Sequence, residues 1–281
     1  MEKIALITDS SCDIDINKLK ELNIFLLPFR IIYKEREYLD RLEISPKEVY
    51  DSLTVEIPTT SLPSVQHMED TLTEIENQGY THVIVINISS NLSGTSNSVR
   101  LMCENHPKLI SAVIDSKTLT MAQGSLVLSC AEMIKEGKSF NEIVSTIPEL
   151  RKKLHVYFTI ETLEYLKRGG RIGKVAGTIG DLLNLKPVIH VGDDGIYHTH
   201  SKARGKKHAI AKLASVLKDY LEKGKCSVWL LHGGGQKDAD ILMEYIKDYD
   251  NLTEIRTGDI GPALGVHTGP GLVGMVIKEE S

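Results

Sequence analysis

Four stretches of this chain place small hydroxyls, glycine or positive charge where an anion could be held. "NISSNLSGTSNSV" (87–99) follows the apolar run His82–Ile86 and leads into a helical pattern, so Ser93, Gly94 and Thr95 fall at a strand-to-helix turn. A helix N-terminus exposes unpaired N–H groups and partial positive charge, and glycine there lets backbone approach a ligand. Hydroxyls beside it add donors, which makes an anion site; a plain serine cap with leftover loop hydroxyls is the competing account. "PTTSLPS" (58–64) repeats the theme with Thr59, Thr60, Ser61 and Ser64. A helix cap explains Ser64 but not Thr60 and Ser61. "YLKRGGRIGK" (165–174) carries Arg168 and Arg171 on a Gly-Gly pair. It lacks phosphate-loop spacing, but a forked guanidinium on a glycine hinge suits a carboxylate or phosphate. "GVHTGPG" (265–271) sets His267 and Thr268 among three glycines and a proline. Either ring nitrogen of such a histidine can donate to an anion. For the last two stretches a basic surface turn and a satisfied structural histidine compete on equal terms.

Two other motifs invite chemistry and do not carry it. "LHGGGQ" (231–236) has the look of an esterase oxyanion loop, but no GxSxG nucleophile elbow occurs in the chain. "HTH" (198–200) puts two histidines on one strand face without an evident third ligand, so an exposed strand is expected and no metal site. The sequence also lacks a phosphate loop and a kinase signature. No catalytic residue and no cofactor is assigned.

These turns need a scaffold, and the hydrophobic pattern supplies one. "IALIT" (4–8), "IFLLPFRIIY" (24–33), strand 82–88 and strand 111–115 alternate with helical segments. Ser45 and Glu48, and Ser139 and Glu142, are spaced as capping boxes, and Gly79 and Gly137 stand as helix stops. Strands alternating with helices over 1–153 predict a mostly parallel sheet with flanking helices. Residues 154–281 read as a smaller α/β domain with mixed or antiparallel pairing, including a hairpin around "GDDG" (192–195). A ligand at the junction of the two halves is the expectation.

Bulk properties narrow the field. The 281 residues are 41% hydrophobic and carry a net charge of −5, which argues against a nucleic-acid partner. The four cysteines show no CxxC spacing and suit free thiols in a reducing compartment. Asp9 comes too early for a secretory signal, and no apolar run is long enough for a membrane helix, so a cytoplasmic protein is expected.

The motifs taken in order resemble the DegV family of bacterial fatty-acid-binding proteins. The likeness lies in "ITDSSCDI" (7–14), "TSLPS" (60–64), "ISSNLSGTSNS" (88–98), "IDS" (114–116), "TLEYLKRGGRIG" (162–173), "KPVIHVGDDG" (186–195) and "GVHTGPG" (265–271). The resemblance implies a non-enzymatic carrier of one long-chain fatty acid, in some members the lipid-presenting subunit of a fatty acid kinase. It implies that Thr60, Ser93 and His267 bond the carboxylate and that Arg171 lies near it. Ser61, Gly94, Thr95 and Thr268 share those loops. A different class of function, an enzyme acting on a small phosphorylated or carboxylated metabolite, would use the same anion site. "SKARGKK" (201–207) gathers Lys202, Arg204, Lys206 and Lys207, with Arg204 the first choice for a kinase contact and a transient membrane-surface contact the other use.

Overall fold

The computed structural model describes residues 2–178 and 185–280. The glycine-rich run "LKRGGRIGKVAGTIG" (166–180) ends outside them. The chain forms two compact units, residues 1–44 with 60–152, and residues 45–59 with 153–281.

In the first unit, β1 (Ile4–Asp9), β2 (Ile24–Leu27), β6 (His82–Asn87) and β7 (Ile110–Asp115) form a parallel sheet in the order β2-β1-β6-β7. Between β2 and β6 come β3 (Arg30–Ile32), β4 (Glu37–Leu39) and β5 (Thr59–Ser61), a separate small sheet in the order β4-β3-β5. The two central strands of the parallel sheet are apolar at nearly every position because both of their faces are covered. Ala5, Ile7, Val83 and Val85 pack with Met68, Leu72 and Ile75 of helix Val65–Asn77 and Val99 of helix Thr95–Glu104. Leu6, Ile84 and Ile86 alternate with them and are equally buried. Helix Thr120–Lys135 packs against β1 and β6 and against helix Phe140–Arg151. Truncating an isoleucine such as Ile84 in this core costs about 2–5 kcal/mol.

The run 24–33, read as one strand, is two. Pro28 lacks an N–H and ends β2, and the Phe29 N–H turns to the Ser10 hydroxyl at 3.0 Å. The local signals hold elsewhere. Both capping boxes are formed, Ser64 caps its helix through the His67 N–H at 3.1 Å, and Gly79 and Gly137 adopt φ of +74° and +76° just after their helices.

The second unit is a six-stranded sheet of β8 (Leu154–Thr159), β9 (Leu185–Val191), β10 (Tyr197–Arg204), β11 (Cys226–Gly233), β12 (Leu252–Asp259) and β13 (Leu272–Glu279). The order is β10-β9-β8-β13-β11-β12. All pairs are antiparallel except β11 and β12, which helix Gln236–Ile246 connects. That helix and Lys206–Leu221 bury Leu213, Leu217, Leu242 and Ile246 against Val228, Leu230, Met275 and Ile277. The fold is therefore α/β, with a parallel sheet in the N-terminal half and a mixed one in the C-terminal half.

A division at residue 153 alone misses one segment. Residues 45–59 group with the second unit, so the two units are of similar size. The reason is Tyr50 of helix Pro46–Ser52. Its ring lies on Gly233 and Gly265, where a Cβ would meet it, and its hydroxyl bonds the Ile260 carbonyl at 3.3 Å. The glycines of "LHGGGQ" make room for that ring and for the Leu272 carbonyl, which a Cβ on Gly235 would approach to 2.7 Å.

Candidate functional site

In the first unit, the sheet order reverses between β1 and β6. Ligands of open α/β sheets bind outside the carboxyl ends of the strands at such a switch point. Asp9 ends β1 and Asn87 ends β6 there, and the serine loop follows Asn87 directly. The loop is closely tied. The Ser89 N–H bonds the Thr118 carbonyl at 2.9 Å, and the Ser89 carbonyl accepts from the N–H groups of Leu92 and Ser93. Ser90 holds Asp115 through its N–H at 3.1 Å and its hydroxyl at 2.5 Å. Ser93 Oγ lies 2.8 Å from Thr95 Oγ1.

The helix that starts at Thr95 has Gly94 as its N-cap and no side-chain cap. Its first turn contains Ser96, which is 1% exposed and whose hydroxyl has no hydrogen-bond partner. A helical side chain leans toward the helix N-terminus, so this hydroxyl adds to the donors at the open end. Ser96 belongs to the serine-rich turn legible in the sequence, but the resemblance gives it no role; its position at the second residue of the helix is the signal for one. Gly94 is not required by the backbone, since its φ is −75°, and a Cβ there would meet only Leu62 Cδ1 at an ordinary 3.6 Å. The same neighbour shows that the 60–64 loop adjoins the 93–95 loop. Within it, Ser61 Oγ accepts from Arg30 Nη2 at 3.1 Å, and the Leu62 carbonyl accepts from Arg30 Nε at 3.3 Å. Ser61 thus takes part in the small sheet, and its own proton stays available to another acceptor.

The second unit brings together the two basic or imidazole-bearing turns. Helix Glu164–Arg168 packs against helix Pro262–Thr268. The His267 ring lies against Gly169, where any Cβ would overlap it, and the Tyr165 ring lies against Gly269 in the same way. Arg171 turns its Nη1 to the Gly169 carbonyl at 2.5 Å. Burial pushes the His267 imidazole down to about 4, and the Arg171 charge pushes it the same way. At neutral pH His267 is therefore an uncharged donor beside a permanent cation. Thr268 is buried and gives its hydroxyl to the Leu264 carbonyl at 3.1 Å, which closes its own helix. In this arrangement its proton is not directed to a ligand.

The run 201–207 is not a uniform surface patch. Lys206 is half-buried, bonded to Glu161 Oε1 at 2.7 Å and to the Gly271 carbonyl. It braces the end of the 265–271 turn, which a surface reading of the lysines missed. Lys202, Arg204 and Lys207 are exposed. His198, expected on an open strand face, binds Asp194 at 2.9 Å and stacks on His190 across the hairpin. Among the described residues no group of three or more His, Cys, Asp or Glu side chains could hold a metal. No helix among them is long and apolar enough to cross a membrane. All four cysteines are buried and free, and burial pushes the Cys12 and Cys130 thiols up to about 12.

A family model described as "Uncharacterised protein, DegV family" matches residues 3–280. The chain is 49% identical to a DegV domain-containing protein of Clostridium acetobutylicum over 277 residues, 99% of each chain. Among solved structures it is similar to a fatty-acid-binding DegV family protein from Thermus thermophilus, with a TM-score of 0.91 and 29% identity over 99% of this chain and 100% of that one. It is also similar to DegV, a fatty acid binding protein from Bacillus subtilis, with a TM-score of 0.89 and 28% identity over the whole of both chains.

Proposed function

This chain belongs to the DegV family, and we propose that it binds one long-chain fatty acid non-covalently. The observation that carries the proposal is the open helix end at Thr95. It lies at the switch point of the parallel sheet, its glycine is unexplained by the fold, and a buried hydroxyl waits within its first turn. The solved relatives described as fatty-acid-binding give the anion its chemical class. Ser93, Thr95 and Ser96 donate to the carboxylate, with Thr60 and Ser61 beside them. In the second unit, Arg171 and His267 are the carboxylate-binding residues, Arg171 as a charge partner and His267 through a neutral N–H. Gly94 gives the head group close access to backbone, and Thr268 shapes the turn. A buried carboxylate is costly unless several donors meet it, and charge-assisted bonds are the stronger kind. Each methylene removed from water contributes about 0.8 kcal/mol, so a tail of about 15 carbons contributes roughly 12 kcal/mol. A bilayer offers a similar gain, so the protein needs an apolar channel of comparable quality.

Titration with a fluorescent fatty acid tests the head group. A hydrogen bond to a charged group is worth about 1.5–3 kcal/mol, so Ser93→Ala and His267→Ala should each lower affinity roughly ten- to a hundredfold. Unchanged affinity in both single variants overturns the assignment.

The carrier presents its acid to a separate ATP-binding kinase, which forms the acyl phosphate. Support comes from the resemblance of the ordered motifs to family members that present lipid to a fatty acid kinase. Arg171 then also faces the charge that develops in phosphoryl transfer, so Arg171→Ala should slow phosphorylation more than it weakens binding. Exposed Arg204 is the partner contact. Arg204→Ala should leave fatty-acid affinity intact and slow phosphorylation, whereas loss of binding to anionic vesicles with turnover intact assigns the patch to a membrane surface.

A further inference from the structure

We propose that Asp9 is the positioning residue of the serine loop, and that its carboxylate holds the loop in the geometry that distinguishes a carboxylate head group from a neutral one. The inference rests on the fatty-acid reading above and concerns a residue outside the four anion-binding loops. Asp9 is fully buried at the end of β1. Its Oδ1 accepts from the Ser11 N–H at 3.1 Å, from the Ser11 hydroxyl and from Gln123 Nε2 at 3.1 Å. Its Oδ2 accepts from the Ile88 N–H at 2.8 Å and from Asn87 Nδ2 at 3.1 Å. No cation is among these five donors. The nearby Arg41 pairs instead with Asp13, at 2.6 Å.

The two oxygens therefore have separate tasks. Oδ1 fastens the group to its own turn and to Gln123, whose amide also donates to Thr8 Oγ1 at 3.1 Å. Oδ2 grips the exit of β6, the two residues from which the serine loop departs. One residue further on, the Ser89 carbonyl takes the Ser93 N–H at 3.1 Å. A shift at Ile88 is thus passed to Ser93 through a single backbone hydrogen bond.

Only a carboxylate meets this demand, because an ionised carboxyl accepts on both oxygens and donates on neither. An asparagine would turn one set of donors against an NH2 group. Burial pushes the Asp9 carboxyl up from the ordinary carboxylate range, and the Ser11, Ile88, Gln123 and Asn87 donors offset only part of that rise. A charge kept in the interior on dipoles alone is costly, and a core that needed only packing would not keep one.

The test compares palmitic acid with hexadecanol, which shares the tail and lacks the carboxylate, on the full chain. Wild type should prefer the acid. In Asp9→Asn, affinity for palmitic acid should fall at least tenfold while that for hexadecanol stays within threefold. A purely structural role would lower both together or neither, and an unchanged acid-to-alcohol ratio in the folded variant overturns the proposal. Asn87→Ala covers the case in which Asp9→Asn does not fold. It leaves the Asp9 charge in place and removes one donor from Oδ2, so a three- to tenfold loss for the acid alone is expected, and equal loss for both ligands overturns the proposal. Failure of wild type to bind either ligand overturns the fatty-acid reading and this inference with it, whereas wild-type binding with an unchanged ratio in the variants overturns the inference alone.

Discussion

At the serine loop, backbone is held by polar groups. Asp9 fixes Ile88, Thr118 fixes Ser89, and Asp115 fixes Ser90. At the histidine turn, backbone is held by rings against bare glycines, with His267 on Gly169, Tyr165 on Gly269 and Tyr50 on Gly265. The first arrangement fails when a hydrogen-bond partner is lost. The second fails when a single carbon is added. Two loops of one chain can thus be stabilised by different physics, and the substitutions that disable each differ in kind.

The largest expected effect comes from adding that carbon. Gly269 has φ of +72°, and a Cβ there would overlap the Tyr165 ring. Overpacking and a backbone region nearly restricted to glycine together should cost Gly269→Ala roughly 2–5 kcal/mol. Urea denaturation followed at the second unit measures it. A loss below about 1 kcal/mol would mean that the rings do not set the turn.

Acid should separate the two regions next. His267 ionises near 4 when folded against 6.5 as a free group, so between those values the unfolded chain holds the extra proton. Its contribution is intact above about pH 6.5 and is lost as pH falls toward 4, amounting to about 3 kcal/mol. Asp9 has the opposite sign, because its carboxyl is raised when folded and acid favours its folded form. Hydrogen exchange at pH 7 and pH 4.5 should show the second unit loosening first, with the change suppressed in His267→Gln. Equal loosening of both units would break the contrast.

The smallest effect of the three belongs to the polar side. Ser10 accepts from the Phe29 N–H at 3.0 Å and donates to Asp40 at 2.5 Å, all buried. Ser10→Ala removes both bonds, strands the Phe29 N–H and should cost about 1–3 kcal/mol. A thermal shift within error of wild type would show that the network behind the loop is redundant.

What could be read from sequence was what a few neighbouring residues decide. The capping boxes at Ser45 and Ser139, the stops at Gly79 and Gly137 and the β9–β10 hairpin each depend on chemistry within about five residues. The parallel character of the first sheet followed from the alternation of its strands with helices. Asp9 carried no site role in the sequence, because its meaning depends on Asn87, Ile88 and on Gln123, which lies 114 residues away. The glycines of "LHGGGQ" stood out, but the ring that requires them sits in a helix near residue 50. Lys206 looked like its basic neighbours until Glu161 and Gly271 came beside it. In each case the missing information was long-range, which no local pattern carries.

The Tyr50 helix has a consequence for how the chain is made. Its hydroxyl partner, the Ile260 carbonyl, is 210 positions later. A ribosome working from the N-terminus releases residues 45–59 long before the strands they join, so this helix must wait, while the parallel sheet of the first unit has all of its strands by residue 115. Contacts of such high sequence separation form late and slow the closing steps of folding. A fragment beginning at residue 153 would emerge with the glycine face of Gly233 and Gly265 uncovered, and co-expressing residues 45–59 as a separate peptide should restore its solubility.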